Sequence, residues 1–464
     1  LWMLFTILGL GIAGTDKIIG LSIVFALQTL IFLGTAFAYY KITELVADDF
    51  WMAGLAILAT YFFSLGVYGT EAHLNAFMLT IAIYYLLTAL VEDTPINWIM
   101  TGLFSGLSIL ARLDNVFVIG SITWIGITNS KKTRSKDQLR RTISLSIPLA
   151  LVVFPYLLYN YLSFGHLVPI SGTIKSTFPV LSANVDNLGR FGKLSSILAL
   201  ISLIYSFDPR LTHLRKIILR SLAIGVLLHA SYVVLYTDHY TFWPWYYVSG
   251  VLNLAFLFDF TFKRVVSILA KYIGHNFIPL VRAAAIAVLV AGGIARGWLK
   301  AYNFDSIGPV QIPRINQYRW PDEVALWMKG NIPEGSGVFV YDWPGAISYY
   351  SGLKILPMDG LMNDFEYNQD LVSQGIEEYL CSKNIHYFLG PDQSGEHDFQ
   401  RYEVYAPLSR RPVGILMLDE RDLVVRIRDV VKSPEETPPI AIWRIDTCSD
   451  SGWNLPNIIV SIDH

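Results

Sequence analysis

Long apolar runs alternate with short polar ones over the first 300 residues. Runs of spanning or near-spanning length fall at Ile18–Tyr40, Trp51–Leu65, Leu74–Val91, Asn97–Ala111 and Val116–Thr128. Others follow at Thr142–Ser163, Leu194–Phe207, Ile217–Tyr236, Val248–Phe260 and Phe277–Leu299. A helix needs roughly 20 apolar residues to cross a bilayer. In lipid its backbone groups find partners only within a helix or a closed barrel. The pattern therefore predicts about ten spanning helices. Leu1–Ile12 is too short to cross and reads as an interfacial helix.

After Leu299 the pattern changes to short alternations. Ser336–Asp342 (SGVFVYD) and Ile385–Gly390 (IHYFLG) read as strands, as do GILMLDE, DLVVRIRDVV and IAIWRID. NQDLVSQGIEEYLCSKN between the first two reads as one helix. The predicted fold class is a polytopic α-helical membrane protein with one short interfacial helix and a C-terminal extracytoplasmic α/β domain. The membrane domain covers residues 1–300 and the second domain residues 301–464.

Composition agrees with that division. The 464 residues are 53% hydrophobic and 16% charged, against about 25% charged in an average soluble protein. Mean hydropathy is +0.45. A net charge of −2 implies no general attraction to nucleic acid. Two cysteines, Cys381 and Cys448, allow one optional disulfide. The opening LWMLFTILGLGIAG has neither an initiator Met nor a basic segment. It does not read as a signal peptide; it reads as a chain cut within something longer.

Lys and Arg set the orientation, because cytoplasmic loops collect them. Ser130–Arg141 (SKKTRSKDQLRR) is strongly basic, as are Asp208–Lys216 and Lys263–Lys271. One alternation puts these three and Lys41–Phe50 inside. It puts Gly66–His73, Arg112–Asn115, Gly165–Lys193, Thr237–Tyr247 and everything after Lys300 outside. The expected location is the cytoplasmic (inner) membrane, multi-pass, with the C-terminal domain extracytoplasmic.

The candidate chemistry lies on these outer segments. Phe164–Val180 (FGHLVPISGTIKSTFPV) is a Gly/Pro-broken loop with Lys175 among Ser171, Thr173, Ser176 and Thr177. An ammonium flanked by hydroxyls suits a phosphate; the alternative is an ordinary connector. No GxGxxG, P-loop, HExxH or zinc-ligand spacing occurs in the C-terminal part.

Six stretches carry a resemblance. They are GTEAHLNAFML (Gly69–Leu79), GLSILARLDNVFV (Gly106–Val118), YNYLSFGHLVPISGTIKS (Tyr159–Ser176) and FWPWYYV (Phe242–Val248), with AISYYSGLKILPMDGLMN (Ala346–Asn363) and IEEYLCSKNIHYFLG beyond the membrane part. In order and spacing the chain resembles the GT-C superfamily of multi-pass membrane glycosyltransferases, which use polyprenyl-phosphate sugars. The branch it resembles contains arabinofuranosyltransferases of the mycobacterial cell wall and relatives of protein mannosyltransferases. In that branch a segment NG-x-HPLW precedes the first apolar run, and this sequence opens at what would be its end, Leu1-Trp2. The resemblance thus implies that a first helix and an outer loop carrying the acidic residue that serves as catalytic base lie upstream of Leu1. Glu71 is then the best base within the chain. Asp48-Asp49 is set aside because the topology puts it inside.

The resemblance implies sugar transfer from a polyprenyl-phosphate donor to a glycan, lipid or protein acceptor at the outer face. That chemistry needs a base for the acceptor hydroxyl and positive charge on the departing phosphate. Lys175, Arg112, Ser171 and Thr173 are the donor-phosphate candidates. Arg112 could equally be ion-paired to Asp114, and Glu71 could orient the acceptor, bind a metal or hold Arg112. For the sugar or acceptor the candidates are Glu71, His73, Asp114, Trp243, Trp245, Tyr246, Asp359 and Asn363. The Trp/Tyr group also fits an interfacial belt, and Asp359 with Gly360 also fits a plain turn. No metal site is assigned and no resident cofactor is implied, a divalent cation remaining open. Two other functions stay open, a transporter or flippase of a lipid-linked sugar and a non-catalytic membrane subunit.

Overall fold

The computed structural model describes residues 2–13, 17–47, 51–66, 71–128, 135–237, 244–273, 320–341, 344–360, 363–392, 399–430 and 439–445, with scattered helical positions between 280 and 291. The chain divides into two compact units, Leu1–Leu167 with Lys175–Lys300, and Val168–Ile174 with Ala301–His464.

The first unit is helical. In chain order it contains α1 (Trp2–Ala13), α2 (Lys17–Leu45), α3 (Trp51–Gly66), α4 (Ala72–Glu92), α5 (Pro95–Ala111) and α6 (Val116–Thr128). Then come α7 (Ser135–Phe164), α8 (Ile170–Lys175, running across the division), α9 (Gly189–Tyr205), α10 (His213–Tyr236) and α11 (Val248–Ile273). Ile19–Leu45, Ala72–Glu92, Lys136–Phe164, Val185–Tyr205 and His213–Tyr236 are long and apolar enough to cross a membrane. Trp51–Phe62, Pro95–Ala111 and Leu113–Thr128 are apolar but shorter. The chain is a polytopic α-helical membrane protein with a sheet-containing C-terminal unit.

Every apolar run expected as far as Val248–Phe260 lies on one of these helices. The last, Phe277–Leu299, falls almost wholly outside the described residues. Several helices outrun their apolar cores. α7 begins within the basic segment, because Lys, Arg and Gln extend a helix as readily as Leu does.

Small residues bring the helices close. α5 carries Gly102 and Gly106, one turn apart. A Cβ at Gly102 would fall 2.0 Å from the Leu145 carbonyl oxygen, and one at Gly106 2.8 Å from Val152 Cβ. This Gly-xxx-Gly face lets the α5 and α7 backbones meet, the contact that stabilises helix pairs where lipid supplies no hydrophobic drive. The opposite side of α7 presents Leu151, Phe154 and Leu162, each more than 60% exposed, as expected of a lipid face.

Three of the four segments expected inside, Lys41–Phe50, Asp208–Lys216 and Lys263–Lys271, meet at one end. Arg215 donates to the Val46 and Ala47 carbonyls (3.1 and 2.8 Å), and Lys263 to Ala47 (2.9 Å). These cations satisfy carbonyls just past the end of α2, where a helix leaves acceptors without partners. Arg264 pairs with Asp208. In the α4–α5 turn, Asp93 (φ 50°) binds Arg141 at 2.7 and 2.5 Å and accepts from Trp98 Nε1 at 3.0 Å. Within the bundle, buried Asp259 of α11 accepts the Gly54 amide in the first turn of α3 at 2.6 Å and the Tyr39 hydroxyl. A buried carboxylate thus meets backbone near the start of α3.

The second unit holds α12 (Trp320–Asn331), β1 (Gly337–Val340), α13 (Pro344–Ser351), β2 (Lys354–Pro357), α14 (Phe365–Gln374), α15 (Ile376–Ser382) and β3 (Ile385–Pro391). β4 (Phe399–Tyr405), β5 (Pro412–Asp419), β6 (Leu423–Arg426) and β7 (Ile440–Arg444) follow. Five strands form a sheet in the order β2-β1-β3-β7-β6. β1 pairs parallel with β2 and β3, while β7 runs antiparallel to β3 and β6. β4 and β5 make a separate hairpin. Parallel strands covered by helices read as continuous apolar runs, and all four residues of β1 are buried.

The single helix expected over Asn368–Asn384 is two, because Gly375 takes φ 79° and ends α14 before α15 begins. Cys381 is disulfide-bonded; Cys448, the chain's other cysteine, lies outside the described residues.

Candidate functional site

At the end of the bundle opposite the basic loops, a break between α5 and α6 builds a charged cluster. Arg112 leaves the helix (φ −152°, ψ 123°) and a single 3-10 turn, Leu113–Asn115, follows. Asn115 fixes the break. Its amide donates to the Ser108 carbonyl and hydroxyl, both at 2.8 Å, and to Asn75 of α4. Three helix ends are thereby tied through one buried side chain.

The break sets Arg112 between two carboxylates. Its Nε and Nη2 reach Asp114 Oδ1 and Oδ2 at 3.0 and 2.9 Å, a bidentate fork, and Nη1 donates to Glu71. The guanidinium side chain is only 8% exposed, against 20% for Asp114 and 29% for Glu71. Glu71 precedes the first turn of α4, where the helix dipole favours negative charge.

Tyr246 lies on the 3-10 turn Pro244–Tyr247 that leads into α11. Its ring centroid is 4.2 Å from Arg112 Cζ, a cation–π stack. Its hydroxyl accepts from Lys175 Nζ at 2.7 Å, and that ammonium is 5.3 Å from the ring centroid. One tyrosine thus bridges both cations. The Tyr61 hydroxyl holds the turn through the Pro244 carbonyl at 2.6 Å.

His229, about two turns before the end of α10, brings Nε2 to 3.7 Å from Asp114 Oδ2, with its ring 5.8 Å from that of Phe117 and 5.9 Å from that of Tyr247. Hydropathy alone does not single it out. The available signal was an ionisable residue inside an apolar run, by default a site candidate.

The stretch expected as a loop, Phe164–Val180, contains a helical turn and an extended return. α8 ends in Lys175. Ser176 then bridges Thr237, and the Thr177, Ser182 and Asn184 amides donate to the Tyr236, Leu235 and Val234 carbonyls at 2.8–2.9 Å. Asn187 adds bonds to Thr237 (2.7 and 3.2 Å). The carbonyls that end α10, which has no basic residue in its last turn, are satisfied by this segment.

Glu71, Arg112, Asp114, Lys175 and Tyr246 therefore come together. Ser171 and Thr173 lie on α8 before Lys175, and the Thr173 hydroxyl turns back to the Pro169 carbonyl at 3.4 Å. His73 is buried in α4 with its ring 4.9 Å from that of Phe62, and its Nδ1 has no hydrogen-bond partner among the described residues. Trp245 is half-buried beside Tyr246, with 6.3 Å between ring centroids. Trp243, like Asp48 and Asp49, lies outside the described residues. Asp359 and Asn363 belong to the second unit. There Gly360 takes φ 71° and Asn363 bonds the Pro357 carbonyl (2.9 Å) and, through its own amide, the Gly360 carbonyl (3.2 Å). Among the described residues no group of three or more His, Cys, Asp or Glu could hold a metal ion.

Residues 310–425 match a family model described as a domain of unknown function (DUF8728). No curated protein sequence matches the chain. Among solved structures it is similar to the arabinofuranosyltransferase AftD from Mycobacteria, determined by single-particle cryo-EM. The two are 11% identical with a TM-score of 0.42, over 94% of this chain and 34% of that one. The chain thus spans about a third of the length of that neighbour.

Proposed function

We propose that this protein is an integral-membrane glycosyltransferase of GT-C type. It moves a sugar from a polyprenyl-phosphate donor to a glycan, lipid or protein hydroxyl at the outer face of the cytoplasmic membrane. The observation that carries the reading is the Lys175–Tyr246–Arg112 stack at one end of an apolar bundle, with Glu71 and Asp114 beneath it. The motifs that resemble the superfamily fall largely on these residues.

In the reaction the acceptor oxygen bonds the anomeric carbon as that carbon's bond to the phosphate oxygen breaks. The acceptor proton passes to a base and negative charge gathers on the phosphate. Lys175 binds that phosphate. Arg112, engaged by both carboxylates, holds Tyr246 and Glu71 in place, and Tyr246 aims the lysine. Two features support the orientation: the basic loops gather at the far end, and a bonded Cys381 in the second unit fits an oxidising compartment.

The test is Lys175→Ala, assayed in membranes supplied with polyprenyl-phosphate sugar. Losing a charge-assisted contact costs about 1.5–3 kcal/mol, so donor turnover should fall roughly ten- to a hundredfold. Lys175→Arg should keep part of it. Unchanged turnover in the alanine variant would remove the phosphate role.

A further inference from the structure

The segment after Lys175 has a property that the transfer reading does not use. In Phe178–Val185 (FPVLSANV), Phe178, Val180, Leu181 and Val185 are 69%, 67%, 65% and 57% exposed. Contiguous apolar surface of this kind is uncommon against water and marks an interaction face.

Alternate amides here are held by protein partners. The Thr177, Ser182 and Asn184 amides donate to α10, the Val180 amide to Thr177 (2.7 Å) and the Phe178 amide to the Ser176 hydroxyl (3.2 Å), while Pro179 has none. The remaining groups need water, so such a segment suits the hydrated headgroup boundary and not the hydrocarbon core. Its partners also fix its depth. Val234, Leu235 and Tyr236 form the last turn of a 24-residue apolar helix long enough to span. The segment leads without interruption into the next candidate span, Val185–Tyr205. Asp186, with its side chain 88% exposed and paired to Lys193 at 2.7 Å, marks where water begins.

We infer that Phe178–Val185 is inserted in the lipid monolayer at the boundary between headgroups and acyl chains. Residues at that depth take apolar side chains while neighbouring charges stay in the headgroup layer. The partner is the bilayer surface itself, whether or not the adjoining site transfers a sugar. The apolar surface starts three residues after Lys175, so a lipid-borne phosphate would reach that ammonium without its chain leaving the membrane.

The test uses the full protein in phospholipid vesicles, spin-labelled at Leu181→Cys and separately at Val180→Cys. Asp186→Cys serves as the aqueous reference and the unsubstituted protein gives the label background. Power saturation compares collisions with oxygen, which concentrates in lipid, and with a water-soluble nickel chelate. Both apolar sites should favour oxygen over the chelate by several-fold, and Asp186→Cys should favour the chelate. Chelate accessibility at 180 and 181 equal to that at 186 would overturn the inference. So would poor access to both reagents, which would mean that protein covers the patch.

Discussion

Arg112→Met tests the cluster most directly. The guanidinium is 8% exposed and holds two carboxylates that keep 20% and 29% of their side-chain exposure. Removing one partner of a buried pair costs about 3–5 kcal/mol, because the remaining charge loses its compensation. Asp114 and Glu71 retain some water, which places the expected loss near about 3 kcal/mol. Of that, roughly 0.5–2 kcal/mol is the stack on Tyr246. At about 2–4 °C per kcal/mol for a unit of this size, the unfolding midpoint should fall by roughly 6–12 °C. The assay is thermal unfolding of the protein in lipid nanodiscs. Arg112→Lys keeps the charge but neither the fork nor the stacked plane, and should fall between the two. In a double-mutant cycle with Asp114→Asn, the coupling should be about 1.5–3 kcal/mol, the worth of hydrogen bonds to a charged group. An Arg112→Met midpoint equal to the parent's, or no coupling to Asp114, would refute the view that this ion triad holds the helix ends together.

Gly102→Val should separate α5 from α7, since its Cβ would meet the Leu145 backbone 2.0 Å away and backbone cannot step aside; a strong loss of folded yield on size exclusion is expected, and normal yield would contradict the close approach. Asp93→Asn should lower stability at neutral pH. The Arg141 hydrogen bonds, helped by the Trp98 N–H, hold the Asp93 carboxyl below the usual carboxylate range, against the opposing effect of burial. A depressed carboxylate stabilises above its unfolded pKa of about 3.9 and loses that contribution as pH falls through the folded value. The gap between the parent and Asp93→Asn should therefore start to narrow as pH drops below about 4 and close at still lower pH, once the folded carboxyl is protonated; a gap that did not narrow at all on acidification would exclude the ion pair as its cause. For orientation, a cysteine at Ser171 should react with an impermeant maleimide on intact cells and one at Ser135 should not; labelling of Ser135 from outside would invert the topology.

Much of the bundle was legible because the spanning requirement leaves a strong, long-range signal. The apolar runs located the helices. Partners were harder to read than places. Arg112, Asp114 and Glu71 could be named as a group, but only the break at Arg112, fixed by Asn115, decides that one arginine faces both acids. His229 and Asp259 were hidden because a single polar residue hardly alters the hydropathy of a run of twenty. In Phe164–Val180 the Gly and Pro residues marked a departure from helix. They could not show that α10, far along the chain, would supply the hydrogen-bond acceptors. In the second unit Gly375 was the missed signal: the apolar period continues across it while the backbone turns left-handed.

The Asp259–Gly54 contact has a consequence for biogenesis. The two residues are 205 positions apart. At ~5–20 residues per second of synthesis, the acceptor for the first turn of α3 emerges roughly 10–40 s after the amide that needs it. α3 is a short helix, and through that interval it lacks the carboxylate that meets its Gly54 amide in the finished protein. Its final seating belongs to the last stage of assembly, when α11 arrives.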